Sequence, residues 1–223
     1  MKPTKQTILH KNKYEFLLAA LFLHLFTATF MTNLTFYAKV LWPLNMVLLG
    51  IFSIGIFSDR GKIHLILKNI LLLLVIALPI IISFVEPTLT YMSILSGIYI
   101  TFFGVLFVAV LQFLIRPSYI STDVISASIC GYLLLIEIGV FTMQLIYAGI
   151  PNAFKGLDTS TFTTTYLDIV YFCTITLTSI GFGDITPAHH ISKLATAVLG
   201  IVGQFYSVVL VGILISKYSS STQ

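Results

Sequence analysis

Charge is what this sequence lacks. Only 9% of its 223 residues are Asp, Glu, Lys or Arg, against about 25% in an ordinary soluble domain. A chain that is 57% hydrophobic cannot cover a soluble core of this size with a polar surface, which excludes a cytosolic enzyme, a secreted domain and a disordered tail. Cysteine is scarce too. Cys130 and Cys173 both lie in apolar runs, which argues against a disulfide framework. No phosphate-binding loop, zinc-ligand spacing or nucleophile–base pair is present, so no enzymatic activity, cofactor or nucleic-acid partner is expected. No internal sequence repeat is visible.

What is present is a series of long apolar runs. A bilayer-spanning helix needs about 20 predominantly apolar residues. Six runs qualify: Tyr14–Met31, Phe36–Phe57, Ile66–Phe84, Tyr91–Ile115, Val124–Ile150 and Ser192–Ser216. A seventh, Thr163–Ser179, holds only about 14 helix-forming residues before its glycines, a length that suits a re-entrant segment better than a span. The expected fold is an all-α membrane protein of six transmembrane helices plus one re-entrant loop. Tyr14–Met31 is expected to be retained. Its run is longer than a signal-peptide core, and no small-residue cleavage site closes it.

Lysine and arginine concentrate on the cytoplasmic side of membrane proteins. With the N-terminus inside, Lys2, Lys5, Lys11, Lys13, Arg60, Lys62, Lys68, Arg116 and Lys217 are internal, and Lys39, Lys155 and Lys193 are external. Both termini are therefore expected to be cytoplasmic, with the re-entrant loop facing outside. The division that follows is a cytoplasmic N-terminus (1–13), a four-span membrane domain (14–115), a cytoplasmic linker (116–123), a last membrane unit (124–216) and a short cytoplasmic tail (217–223). That tail leaves no room for a regulatory domain.

The informative stretch is Thr176-Leu177-Thr178-Ser179-Ile180-Gly181-Phe182-Gly183-Asp184. Alternating glycines open backbone conformations with positive φ. Such a strand can aim successive carbonyl oxygens one way while Ile180 and Phe182 point the other way as packing. Bare carbonyls at membrane depth are tolerated only where they line a cavity or bind something, and what they bind is a cation. The pattern arises by chance at roughly 10⁻⁶ per position.

The stretch resembles the pore loop of potassium channels, in which four such strands replace the hydration shell of the ion. The resemblance covers Val124–Ser216 as outer helix, pore helix (165–178), filter (179–184) and inner helix (192–216). The whole chain looks like the small bacterial six-span channel proteins. It implies a homotetramer in the plasma membrane that conducts K⁺ passively, with Thr178, Ser179, Ile180, Gly181, Phe182, Gly183 and Asp184 forming the ion path. Tyr171 and Phe172 match the aromatic pair that packs around the filter, with Thr176 as further support. Gln204 and Ser207 would line a water-filled cavity. Gly203 matches the gating-hinge glycine, and the other reading of Gly203 is a helix-packing glycine. A nonselective cation channel and a potassium uptake subunit are the alternatives. Intact glycines argue against the first, and a single pore loop per chain argues against the second.

Thr165 followed by Asp168 matches a capping box and places Asp168 at the positive end of the pore helix. Ile175 stands where the family often has an acid behind the filter, so Asp184 has no carboxyl partner there. Tyr91–Ile115 carries no arginine within it. Moving one charge through 100 mV yields about 2.3 kcal/mol, so without several such charges voltage dependence is expected to be weak. Glu137 lies deep in a span, either as a functional acid or as a neutral or hydrogen-bonded acid bracing the pore helix. His24 is expected to be a satisfied buried histidine. His189 and His190 follow the filter, either tuning conduction near pH 6.5 or simply solvated.

Phe182 stands where the family commonly has tyrosine, and it lacks a phenol to bond the surrounding helices. The filter is therefore expected to inactivate readily. Phe182→Tyr should slow current decay in single-channel records; unchanged decay would sink this reading.

Overall fold

A computed structural model describes residues 12–56, 61–82, 84, 88–115 and 121–220. The chain is mostly helical. Helix α1 (Lys13–Phe26) runs on into a 3₁₀ turn, Thr27–Phe30. Helix α2 spans Leu34–Ser53. It is followed by α3 (Gly61–Ile82), α4 (Leu89–Ile115), α5 (Thr122–Gly149), the short α6 (Phe162–Leu177) and α7 (His190–Ser220). Among the described residues, α1 with its 3₁₀ turn, α2, α4, α5 and α7 are long and apolar enough to cross a membrane. The expected run Ile66–Phe84 falls on α3, whose shorter apolar portion is Asn69–Ile81. Lys2, Lys5, Lys11, Arg60 and Arg116, which carry much of the orientation argument, lie outside the described residues, as do 116–120 of the linker and 221–223 of the tail.

Helix α2 is not the uniform span that its composition suggests. Asn33 caps it, its side chain accepting from the Phe36 amide at 3.0 Å. A single π turn, Tyr37–Leu41, then precedes Trp42-Pro43. Proline has no amide to donate and its ring crowds the carbonyl one turn back. A locally widened turn accommodates both defects.

The fold departs from all-α in one detail. Phe154–Lys155 (β1) pairs antiparallel with Thr186–Pro187 (β2), Phe154 opposite Pro187 and Lys155 opposite Thr186. This clip ties the segment before α6 to the segment after the glycine-rich stretch. Gly156 makes it possible. Its φ is +86°, and a Cβ there would run into the Asp184 carbonyl, so a side chain is excluded on two counts.

Within a bilayer, apolar surface alone does not drive helices together; close packing and hydrogen bonds do. The packing here is aromatic. Trp42 of α2 meets Tyr166 of α6 edge-on at 5.9 Å and Tyr99 of α4 at 6.2 Å. Tyr99 lies 4.7 Å from Phe141 of α5, which stacks on Phe103 of α4 at 5.7 Å. One continuous run of rings thus joins the N-terminal helices to α5 and α6. Helix α5 is the centre, with 78% of its apolar stretch buried within a single chain. Helix α7 is the opposite, at 11%. Leu194, Val198, Ile201 and Phe205 are all exposed, so little of this helix is covered by the chain itself.

Candidate functional site

The site is built on α6. Its N-cap is Thr161: the Thr164 amide donates to Thr161 Oγ1 at 3.1 Å, and the Thr161 amide donates to Thr164 Oγ1 at 3.2 Å. The helix therefore begins at Phe162 and ends at Leu177, rather than spanning 165–178 with Thr165 as its cap. The reason is local. A threonine at the third helical position closes the reciprocal capping box as an acid would. Thr165, one turn in, donates instead to the carbonyls of Asp158 (3.0 Å) and Thr161 (2.9 Å). Asp168 does not sit at the helix start. Its Oδ2 accepts the Asp158 amide at 2.7 Å and so fixes the preceding loop.

At the other end of α6 the backbone reverses. Thr178 caps the helix, and the Ser179 amide donates to the Thr176 carbonyl at 3.0 Å. The amides of Ile180 and Gly181 both donate to the Ile175 carbonyl, at 2.9 and 3.1 Å. The peptides here are trans, and in a trans peptide N–H and C=O point opposite ways. The carbonyls of Thr178, Ser179 and Ile180 therefore face away from the end of α6, on a common side. Ser179, Gly181 and Gly183 have φ of +61°, +54° and +82°. Positive φ at every second residue is the alternation that the glycine spacing suggests. Ser179 was not expected to share it, since only the glycines carry that conformational freedom. A non-glycine residue held there costs of order 1 kcal/mol.

Ile180 and Phe182 are 56% and 70% exposed. Neither is packed within the chain, so the packing role expected of them has no partner here. Tyr171 and Phe172 have separate tasks. Phe172 is buried against Phe154 of the β clip, edge-on at 5.6 Å. The Tyr171 hydroxyl donates to Asp184 Oδ2 at 2.8 Å. That bond holds the Asp184 carboxyl below the usual carboxylate range, as the Ser160 side chain and amide do for Asp158. A lowered pKa means that the Tyr171–Asp184 bond is fully present at neutral pH and is lost as pH falls through the lowered value. The partner that Ile175 cannot supply is thus a phenol one turn earlier, and an aromatic treated as packing gave no signal of it.

From α7, Gln204 Nε2 donates to Ser179 Oγ in a short hydrogen bond. This joins the glutamine to the inner end of the glycine-rich stretch. Ser207 bonds back to the Gly203 carbonyl at 3.0 Å. Helix α7 is continuous through Gly200 and Gly203. Gly203 is buried against the end of α6: an added Cβ would lie 2.7 Å from Leu177 Cγ and 3.0 Å from the Leu177 carbonyl. Tyr132 of α5 donates to that same carbonyl at 3.2 Å, and Tyr206 of α7 donates to the Ser128 carbonyl at 2.8 Å.

Glu137 is fully buried, with Oε1 3.7 Å from His24 Nε2. The Tyr166 hydroxyl is 3.1 Å from the same histidine nitrogen. These three groups bring α1, α5 and α6 together, but among the described residues neither Glu137 oxygen has a hydrogen-bond partner and His24 Nδ1 has none, so the hydrogen-bonded brace does not form and the histidine is satisfied at one nitrogen only. The rings of His189 and His190 lie 4.1 Å apart, tilted by 42°, and His189 Nδ1 accepts the Ile191 amide at 3.3 Å.

Residues 129–220 match the family model described as "Ion channel". Two pore potassium channel b of Oryza sativa subsp. japonica is 33% identical over 82 residues, 36% of this chain and 22% of the rice protein. The chain thus spans about a fifth of that relative's length. No solved structure matches. The family match falls on the segment from α5 to α7, and both findings concern channels, not enzymes.

The contact at Gly203 generates a test. Gly203→Ala should disturb conduction, and adding Leu177→Ala should restore most of it by relieving the collision. If the double variant behaves like Gly203→Ala alone, the residue acts through bending of α7 and not through packing.

Proposed function

We propose that this chain, whose residues 129–220 match a family described as "Ion channel", belongs to the potassium-channel pore-loop family and is a K⁺-selective channel that conducts passively across the plasma membrane. One observation carries the reading. The main-chain carbonyls of Thr178, Ser179 and Ile180 face a common side because their partner amides are held by Thr176 and Ile175. Oxygens so arranged suit a dehydrated cation.

A single strand cannot surround an ion. Four copies about one axis close a ring, and the exposed faces of Ile180, Phe182 and α7 supply unpartnered surface for that assembly. Gly181 and Gly183 continue the oxygen row toward Asp184. The C-terminal end of α6 carries about half a negative charge, and four such ends favour a cation entering the cavity beside Gln204 and Ser207. Gly203 lets α7 pack closely on Leu177 at the end of α6, with a bend of α7 at this glycine as the alternative role. The six helices α1 to α5 and α7 span the membrane, both termini are cytoplasmic, and α4 offers no charge for a voltage sensor.

Purified protein in K⁺-loaded liposomes tests this. The expected result is K⁺ flux that barium blocks, that Na⁺ does not support, and that Gly181→Asp abolishes, with a shallow dependence on voltage. Equal K⁺ and Na⁺ flux would replace the reading with a nonselective cation channel.

A further inference from the structure

The first turn of α7 is closed by a histidine. His189 immediately precedes the helix, and its ring Nδ1 accepts the Ile191 amide at 3.3 Å. In return, the His189 amide donates to Ser192 Oγ at 3.2 Å. The arrangement is reciprocal, like that of Thr161 and Thr164 on α6, with a ring nitrogen in place of an oxygen. Ser192 is fully buried, and its hydroxyl donates to the Ala153 carbonyl at 2.6 Å. The Ala188 amide donates to that same carbonyl at 2.9 Å. Ala153 leads into β1, and Ala188 follows β2. The cap therefore ties the start of α7 to the clip just past Asp184.

The usual cap is a side-chain oxygen. A ring nitrogen accepts only while it carries no proton. The bond from the Ile191 amide thus requires neutral His189, with its proton on Nε2. A proton on Nδ1 turns this acceptor into a donor aimed at a donor. It also puts a positive charge at the positive end of a helix, where a cation is unfavourable. The cap is intact above the pH at which His189 takes up a proton and is lost below it. His189 is half-buried and His190 exposed, so protons reach the turn. The elements around it carry Lys155 on β1, Asp184 ahead of β2, Tyr171 on α6, Tyr147 near the end of α5, and His190 and Lys193 on α7. The bond between Tyr171 and Asp184 moves the carboxyl down and the phenol up, away from neutrality. Histidine is the side chain whose ordinary titration falls between about pH 5 and 8, which leaves His190 as the rival proton acceptor. We propose that His189 is a proton-sensitive cap: at low pH the first turn of α7 releases the β clip, the glycine-rich strand loses its tether past Asp184, and K⁺ conduction falls. The cap stands on its own geometry; its effect on conduction rests on the proposed channel function.

Hydrogen exchange and flux test this, each at about pH 8 and about pH 5.5 on both faces of the membrane, either side of the ordinary histidine titration. In nanodiscs, the segment from Ala188 to Lys193 should lose protection about fivefold on acidification, after correction for chemical exchange, the equivalent of one lost cap. His189→Asn supplies an oxygen cap, and its protection should hold at both pH values. In K⁺-loaded liposomes, flux through the unaltered protein should fall by about the same factor. His189→Asn should remove that fall, and His190→Asn should keep it. Protection that does not change with pH in the unaltered protein would overturn the cap. Protection that falls while flux stays constant would overturn the switch, as would a fall in flux that survives in His189→Asn or vanishes in His190→Asn. Absence of flux at every pH would count against the channel reading, and exchange would still decide the cap. If His189→Asn fails to assemble, His189→Ser takes its place, and exchange in the unaltered protein needs neither variant.

Discussion

The structure depends on how the backbone is satisfied just past the end of α6. A helix leaves its last carbonyls unpaired, and at membrane depth water cannot take them up. Here the Ile175 and Thr176 carbonyls accept the amides of Ser179, Ile180 and Gly181. One set of bonds therefore does two things. It closes α6, and it turns the carbonyls of the following peptides away from that helix, as the proposed ion path requires. Positive φ at Ser179, Gly181 and Gly183 is the conformational requirement of that arrangement. The β clip, the Tyr171–Asp184 bond and the Gln204–Ser179 bond hold the strand from its two ends.

The N-terminal helices are joined to this apparatus by packing and not by charge. The ring series from Trp42 through Tyr99 to Phe141, together with His24, Glu137 and Tyr166, connects α1, α2 and α4 to α5 and α6. The Tyr166 hydroxyl against His24 and the edge-on contact of Tyr166 with Trp42 hold the first turns of α6 against α1 and α2. Such a brace suits the proposed pore, in which Phe182 would stand in the filter with no phenol of its own.

Much of this was legible in the sequence because it is local. The apolar runs give the helices within a few residues, and the glycine spacing gives the alternating backbone. What escaped has physical causes. The run Ser160-Thr161-Phe162-Thr163-Thr164-Thr165 offers several competing caps, and the usual acid at the third position points to Thr165 and Asp168, whereas the hydroxyl pair Thr161 and Thr164 forms the box. Positive φ at Ser179 is imposed by the amide bonds around it, not by its own side chain. The π turn before Pro43 follows from one missing amide, too small a signal to move a span assignment. Tyr171 and Asp184, and His24 and Glu137, meet only once the helices pack, which no periodicity announces.

The central claim is that the carbonyls of Thr178, Ser179 and Ile180 form an ion path on a four-fold axis. A crystal of the purified protein grown in rubidium, examined for anomalous scattering, tests it most directly. The account predicts a tetramer with rubidium peaks in a row along its axis, between the rings of these oxygens. A tetramer with no axial peaks, or ions held only at Asp184, would contradict it.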